Sequence, residues 1–180
     1  STGGTAASLR GAGLPVVDLA QVTGFPELLG GRVKTLHPAV HGALLAVRSN
    51  PEHMEELARH GIRPIDLVAV TLYPFEETIA ARPDLAAALE QIDIGGATLP
   101  RAAAKNFESV VVVSHPAQYA EVLGELRRTG LVGREARLRF AREAFARTSG
   151  YDAAIARYFG LVASRAIHFA NFDREPDPDL

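Results

Sequence analysis

Apolar residues along this 180-residue chain form short runs that predict strands and amphipathic stretches that predict helices. Residues 65–72 are apolar except for Asp66 and Thr71, and residues 109–114 contain four consecutive valines, as is typical of parallel strands buried on both faces. A short run at residues 15–19 predicts a third buried strand. Helices are predicted at residues 6–12, 51–60, 83–91, 116–128 and 134–159, the last interrupted near residues 149–150. Because strands alternate with helices, we expect an α/β domain with a mainly parallel sheet flanked by helices.

The most distinctive polar stretch begins at Asp93, continues through Gly95 and Gly96, and ends with Arg101 and Lys105 four residues apart. Glycines allow positive φ or close approach of a ligand, and residues four apart share one helix face. We therefore expect an acid, two cations and free backbone N–H groups to converge on one spot. The alternative is a tight turn followed by a solvated helix face.

A helix is also predicted to begin inside this stretch. Thr98 can cap a helix N-terminus, and Pro100 fits a helix only in its first turn. The helix should then continue to about Asn106.

A second polar stretch opens the chain, where hydroxyl residues and glycines at positions 1–5 precede a predicted helix. Backbone donors in such a loop are typical of phosphate sites, and a capped flexible terminus is the alternative. Because such a loop normally follows a strand and none precedes it here, we expect the chain to be truncated at its N-terminus.

A third polar stretch places two cations, a hydroxyl and an imidazole between Arg32 and His37. His37 and His41 have the spacing of two metal ligands on a helix, but Pro38 interrupts that helix and no third ligand accompanies them. Local hydrogen bonding is therefore favoured over metal binding.

Composition and charge exclude several classes of protein. The net charge is -2, which argues against a nucleic-acid-binding surface, and the absence of cysteine excludes disulfides and thiolate chemistry. No apolar run reaches the roughly 18 residues of a membrane span and no signal-peptide pattern is present, so a cytoplasmic location is expected by default.

The 19 cations include only two lysines, Lys34 and Lys105. Since an amine's pKa can be shifted whereas a guanidinium stays charged, both lysines are candidates for proton transfer, with solvated side chains as the alternative.

Four motifs together resemble a known family. They are Ser-Thr-Gly-Gly-Thr at residues 1–5, Gly-Arg-Val-Lys-Thr-Leu-His-Pro at 31–38, Leu-Tyr-Pro-Phe at 72–75, and Asp-Ile-Gly-Gly at 93–96 followed by Arg-Ala-Ala-Ala-Lys-Asn at 101–106. The chain resembles the inosine monophosphate cyclohydrolase domain, which is the N-terminal half of a bifunctional purine-biosynthesis protein. The resemblance covers residues 1–160. Residues 161–180 are predicted to be a diverged, partly disordered tail, of which residues 173–180 are acidic and rich in proline.

The resemblance implies a methylglyoxal-synthase-like fold and a homodimeric cytosolic enzyme that binds a purine nucleotide and needs no cofactor. Its reaction closes 5-formamido-1-(5-phosphoribosyl)imidazole-4-carboxamide to inosine monophosphate with loss of water. The implied phosphate-binding residues are Ser1, Gly3, Gly4 and Thr5, assisted by Arg32 and Thr35. The residues implied around the reacting groups are Lys34, Tyr73, Asp93 and Lys105, with further substrate contacts from Thr71, Gly95 and Arg101.

These residues suit the chemistry of ring closure. The carboxamide nitrogen must attack the formyl carbon, so Asp93 can act as base and Lys105 as acid or oxyanion partner. Lys34 and Tyr73 can form a hydrogen-bonded pair that orients the substrate. Thr71 and Tyr73 end the strand predicted at residues 65–72, where open α/β sheets bind ligands, and a core position for Tyr73 is the alternative.

The chain also departs from the family pattern. The N-terminal strand and its Ser-Asp-Lys loop are missing, as is the transformylase half, and Thr71 and Pro100 replace an asparagine and an apolar residue. Three other functions therefore stay open: a non-catalytic nucleotide-binding module of the same fold, a methylglyoxal-synthase-like phosphate lyase, and an inactive fragment.

Overall fold

A computed structural model describes residue 1, residues 3–81 and residues 84–172, with the backbone alone at residues 165–172. The chain divides into two compact units. The first comprises residues 1–72 and 93–146, and the second comprises residues 73–92 and 147–180 as far as they are described. None of the described helices is both long and apolar enough to cross a membrane.

The first unit is built on two parallel strands, β1 (Leu67–Ala69) and β2 (Val111–Val113), which pair with Val68 opposite Val112. Both strands lie where the apolar runs predict them, and the parallel pairing is confirmed. In β1, Val68 is buried whereas Leu67 is 38% exposed. The prediction that this strand is buried on both faces is therefore wrong, because successive side chains point to opposite faces and only one face of β1 meets the core.

Nine α-helices and two short 3₁₀ turns are present in the described residues. The helices are α1 (Gly3–Gly11), α2 (Leu19–Thr23), α3 (Pro38–Leu45), α4 (Pro51–Arg59), α5 (Phe75–Ala80), α6 (Leu85–Glu90), α7 (Gly95–Lys105), α8 (Tyr119–Thr129) and α9 (Arg134–Phe172), and the turns are Leu29–Gly31 and Pro116–Gln118.

Helix α7 lies at the centre of the first unit and packs against α3 and both strands. Its alanines Ala102, Ala103 and Ala104 are buried, and side chains this small let neighbouring elements approach closely. Asn106 follows the helix and is also buried, with its Nδ2 donating to the carbonyls of Leu44 (2.7 Å) and Ala46 (2.9 Å). The end of α7 is thereby fixed to the end of α3.

The strand predicted at residues 15–19 is absent. Leu14 and Val17 are 52% and 54% exposed, and the backbone of this segment bonds to Ser1, whose amine donates to Val17 O (3.0 Å) and whose carbonyl accepts from Leu19 N (3.3 Å). A single partner residue does not make a ladder, so apolar composition alone does not produce a strand here.

Helix α9 continues without a break through Ser149 and Gly150, where an interruption was predicted. A helical glycine costs only about 1 kcal/mol relative to alanine, and the stripe formed by Thr148, Tyr151 and Ala154 is buried on both sides of it. The helix also includes residues 161–172, which belong to the predicted disordered tail. Residues 173–180 of that tail lie outside the described residues.

The second unit has a small aromatic centre. The buried Phe75 ring meets the Tyr151 ring edge to face at 6.2 Å and the Tyr158 ring at 5.8 Å. Arg157 pairs with Glu76 at 2.5 Å on the same helices. These contacts hold α5 against the described C-terminal part of α9.

Candidate functional site

The start of α7 is organised by Asp93. Its Oδ1 accepts the backbone N–H of Gly96 at 2.7 Å, so this carboxylate caps the helix. Thr98 is not the cap that was predicted, because it lies inside the helix and donates its hydroxyl to Gly95 O at 2.8 Å. Pro100 is buried in the middle of the helix and not in its first turn.

The loop at residues 32–35 lies directly against this helix start. A Cβ atom added to Gly95 would lie 2.5 Å from Thr35 Oγ1, so the hydroxyl touches the glycine backbone. The first-turn N–H groups of a helix have no intrahelical partner and attract negative charge. Thr35, which was predicted to assist at the phosphate, thus lies beside Asp93 and Gly95, at a point rich in hydrogen-bond donors.

Lys34 is held in this loop by Glu27, a residue that the sequence reasoning missed. Lys34 Nζ lies 3.1 Å from Glu27 Oε2, and both side chains are partly exposed. The pair lies beside Gly31, whose φ is +96° and where an added Cβ would be 2.7 Å from Lys34 Cε. A side chain at Gly31 would therefore be strained by the backbone conformation, and the Lys34 side chain would have to move to make room for it.

A sequence signal for Glu27 did exist. Leu28 and Val33 form an antiparallel bridge around the Gly30–Gly31 turn, and two backbone bonds of 3.1 and 3.3 Å close it. Glu27 and Lys34 flank that bridge and must therefore meet. A glycine pair between two apolar residues is a hairpin signal that could have predicted the contact.

The predicted phosphate-binding residues lie in and just before the first turn of α1. The helix begins at Gly3, which has φ +51°, three residues earlier than predicted, so Gly4 and Thr5 lie within it. These residues and Ser1 are exposed, as is Arg32 on its own loop. Thr2 of the motif lies outside the described residues.

Lys105 is the last residue of α7, and Arg101 lies about one turn before it. Ten residues of helix separate Lys105 from Gly95, or about 15 Å at 1.5 Å per residue. The predicted convergence of Asp93 with Lys105 is therefore wrong within one chain, because a single helix carries the acid at its start and this lysine at its end. Arg101 lies six residues, or about 9 Å, from Gly95.

Arg101 and Lys105 do share one helix face, as their spacing predicts. They line a cavity of about 640 Å³ between α7 and the start of α9, together with apolar residues such as Leu138 and Ala141. The Arg101 guanidinium lies 5.5 Å from the centre of the Phe145 ring, which is a cation–π contact.

Thr71 and Tyr73 both follow β1, and both are exposed. Tyr73 is 63% exposed, so it is not the core aromatic residue that was the alternative. Tyr73 belongs to the second unit, whereas Thr71 belongs to the first.

His37 and His41 make local hydrogen bonds. His37 Nδ1 accepts the N–H of Ala39 at 3.1 Å, and His41 Nδ1 lies 3.4 Å from the carbonyl of His37. The local bonding favoured for these histidines is present. Over the part of the chain that the structure describes, no cluster of three or more metal-ligating side chains occurs.

Comparison with known families agrees with this fold. The MGS-like domain model matches residues 1–98. The chain belongs to the MGS-like domain family. The model of the AICARFT/IMPCHase bienzyme matches residues 103–175 of the same MGS-like chain, which extends the likeness past residue 160. The resemblance predicted from the four motifs and the predicted fold are both confirmed.

Individual relatives of this MGS-like domain are strongly similar. The bifunctional purine biosynthesis protein PurH of Dinoroseobacter shibae is 56% identical over 156 residues, covering 86% of this chain and 30% of the relative. PurH of Chloroflexus aurantiacus is 59% identical over 160 residues, covering 88% and 31%. The crystal structure of ForH matches with a TM-score of 0.78 and 41% identity, covering 88% of this chain and 82% of ForH. The chain therefore spans just under a third of the length of the PurH relatives.

Proposed function

We propose that this MGS-like domain acts in purine nucleotide biosynthesis as an inosine monophosphate cyclohydrolase. The observation that carries the proposal is that the loop with Lys34 and Thr35 lies beside Asp93 at the start of α7. The same chain matches the AICARFT/IMPCHase bienzyme model. The substrate would be the 5-formamido-imidazole-4-carboxamide ribonucleotide, and no cofactor is required by the chemistry.

Ring closure needs a base, an oxyanion site and an acid. The carboxamide nitrogen attacks the formyl carbon and gives one proton to the base, while the formyl oxygen gains a proton and becomes a hydroxyl group. The hydroxyl then leaves as water, and the formamide nitrogen loses its proton as the C=N bond forms. A carboxylate has about four lone-pair sites, so Asp93 can cap Gly96 and still accept a proton.

The backbone at the start of α7 suits the oxyanion. First-turn N–H groups are preorganised donors, and such donors are worth most where charge develops in the transition state. The Thr35 hydroxyl lies against Gly95 at this point and can orient the carboxamide. Lys34, held by Glu27, would contact the nucleotide from the same loop.

Lys105 needs a second chain to take part. Because it lies about 15 Å along α7 from Gly95, the acid role is possible in a homodimer in which a second copy places Lys105 beside Asp93. A symmetric dimer would then contain two such shared sites.

Mixed dimers test this arrangement. Asp93→Asn and Lys105→Arg chains are each expected to be inactive, but a mixed dimer has one site with both native residues. Random mixing puts about half of the chains in mixed dimers, so about one quarter of wild-type activity should return. No recovery after verified subunit exchange would place both residues in one chain's site.

The function itself is tested by an ultraviolet assay of ring closure on the purified chain, combined with thermal unfolding in inosine monophosphate. Ligand at one hundred times Kd should stabilise the folded chain by about 2.7 kcal/mol. Stabilisation without turnover would favour the nucleotide-binding module. The absence of both turnover and stabilisation at millimolar nucleotide would refute the proposal.

A further inference from the structure

His37 makes three contacts that converge on the proposed site. Its Nδ1 accepts the N–H of Ala39 at 3.1 Å and so caps α3, and its extended backbone (φ −138°) ends the loop. Its own N–H donates to Thr35 O at 2.9 Å. Its ring meets the Phe25 ring at 6.0 Å.

These contacts fix the loop from both sides. The backbone bond to Thr35 holds the residue whose hydroxyl touches Gly95. The ring contact with Phe25 restrains the segment that carries Glu27, the partner of Lys34. Since a backbone N–H can only donate, Nδ1 is the acceptor in this cap, and the bond restrains the orientation of the ring.

We propose that His37 is a positioning residue for ring closure, one that holds Thr35 against the start of α7, and Lys34 in the same loop, without touching the reacting atoms. The inference rests on the proposed function for its activity measurement only. Helix α3 packs against α7, so a cap on α3 keeps the loop in register with that helix.

His115 offers a matched control within the same chain. It also precedes a proline, has an extended backbone (φ −154°), and accepts the N–H of Ala117 on Nδ1 at 3.2 Å. It follows β2 and opens the turn before α8, outside the loop at residues 32–37. The two histidines therefore perform the same cap at different places.

The experiment compares His37→Ala, His37→Asn and His115→Ala. Asparagine caps helices as well as any residue, whereas alanine does not. A displacement of about 1 Å in a positioning group can cost about 10²-fold, so His37→Ala should lower kcat/KM by about that factor, mainly through KM. His37→Asn, which restores the cap but not the ring contact with Phe25, should recover part of the loss. His115→Ala should lower the unfolding midpoint to a similar extent while leaving kcat/KM unchanged.

A second measurement separates this inference from the proposed function. The amide resonances of Thr35 and Gly95 should move in His37→Ala and stay in place in His115→Ala, whether or not the wild-type chain turns over. Should His37→Ala fail to fold, Phe25→Leu keeps the cap and removes the ring contact, and it should move the Thr35 resonance and raise KM. Equal effects of His37→Ala and His115→Ala on kcat/KM, no recovery in His37→Asn, or unmoved Thr35 resonances in Phe25→Leu would overturn the inference.

Discussion

Gly96→Ala should lower kcat by about 10²–10⁴-fold while leaving the fold intact. A Cβ atom at this position would overlap Asp93 Oδ2 and lie 2.7 Å from Asp93 Cγ, so the carboxylate has to leave its place on the Gly96 N–H. Loss of the cap costs about 0.5–2 kcal/mol. Alanine in place of glycine inside a helix contributes about 1 kcal/mol in the opposite direction. The two terms nearly cancel, so the free energy of unfolding should change by about 1 kcal/mol or less.

The catalytic term in Gly96→Ala has no such compensation. A positioned general base typically contributes 10²–10⁴-fold, and kcat should fall by about that much when Asp93 is displaced. Ring closure followed by ultraviolet absorbance gives kcat, and thermal or urea unfolding gives the stability.

Two control variants separate the causes. Gly124→Ala in α8 has nothing within 4 Å of its new Cβ and should stabilise the chain by about 0.5–1 kcal/mol without changing kcat. Asp93→Asn keeps a capping side chain but loses the proton acceptor, so its kcat should match that of Gly96→Ala. Near-normal kcat in Gly96→Ala would refute the role of Asp93. A decrease of several kcal/mol in the free energy of unfolding of Gly96→Ala would refute the estimate that the two stability terms cancel.

Other predictions follow from the same geometry. Lys105→Arg should lower kcat by about 10²–10⁴-fold with folding intact, because guanidinium gives up a proton too reluctantly. Lys34→Arg should lower kcat less, and Arg127→Lys should leave kcat unchanged. A near-normal kcat in Lys105→Arg would exclude Lys105 as the acid. Asn106→Ala leaves two buried carbonyls without partners and should destabilise the chain by about 2–4 kcal/mol in urea unfolding, a loss under 1 kcal/mol being contrary to the role assigned here. Thr71→Asn should lower KM, since an amide offers the substrate both a donor and an acceptor. An unchanged or higher KM would mean that the end of β1 does not face the base of the nucleotide.

Local patterns were read correctly where a segment's structure depends on its own residues. The apolar runs around Val68 and Val112 form paired parallel strands, because β-branched runs suit a buried sheet. Asn50 and Pro51 open α4 as cap and first helical residue, so that helix was found almost to the residue. The four motifs identified the family for the same reason: each is local and their order is read directly from the chain.

Three errors arose where a segment's structure depends on contacts that its apolar pattern does not reveal. Residues 15–19 are apolar enough for a strand, but a strand also needs a neighbour to pair with. The start of α7 was predicted too late, because Thr98 and Pro100 were weighed without knowing that Gly96 leaves room for the Asp93 carboxylate. The Glu27–Lys34 pair was missed because a turn, and not sequence spacing, joins the two side chains.

The sequence by itself determined the fold class, the parallel strands and most of the helices, since these follow from hydrophobic periodicity and capping within a few residues. It determined the family through the resemblance of the four motifs. Tertiary structure alone decided which chemical groups meet. It placed Thr35 on Gly95 and Glu27 on Lys34, and it separated Asp93 from Lys105 by the length of α7. The physical reason is that a helix has a fixed rise per residue and a loop does not. Distance along the chain therefore becomes distance in space only when the point where each helix begins is known.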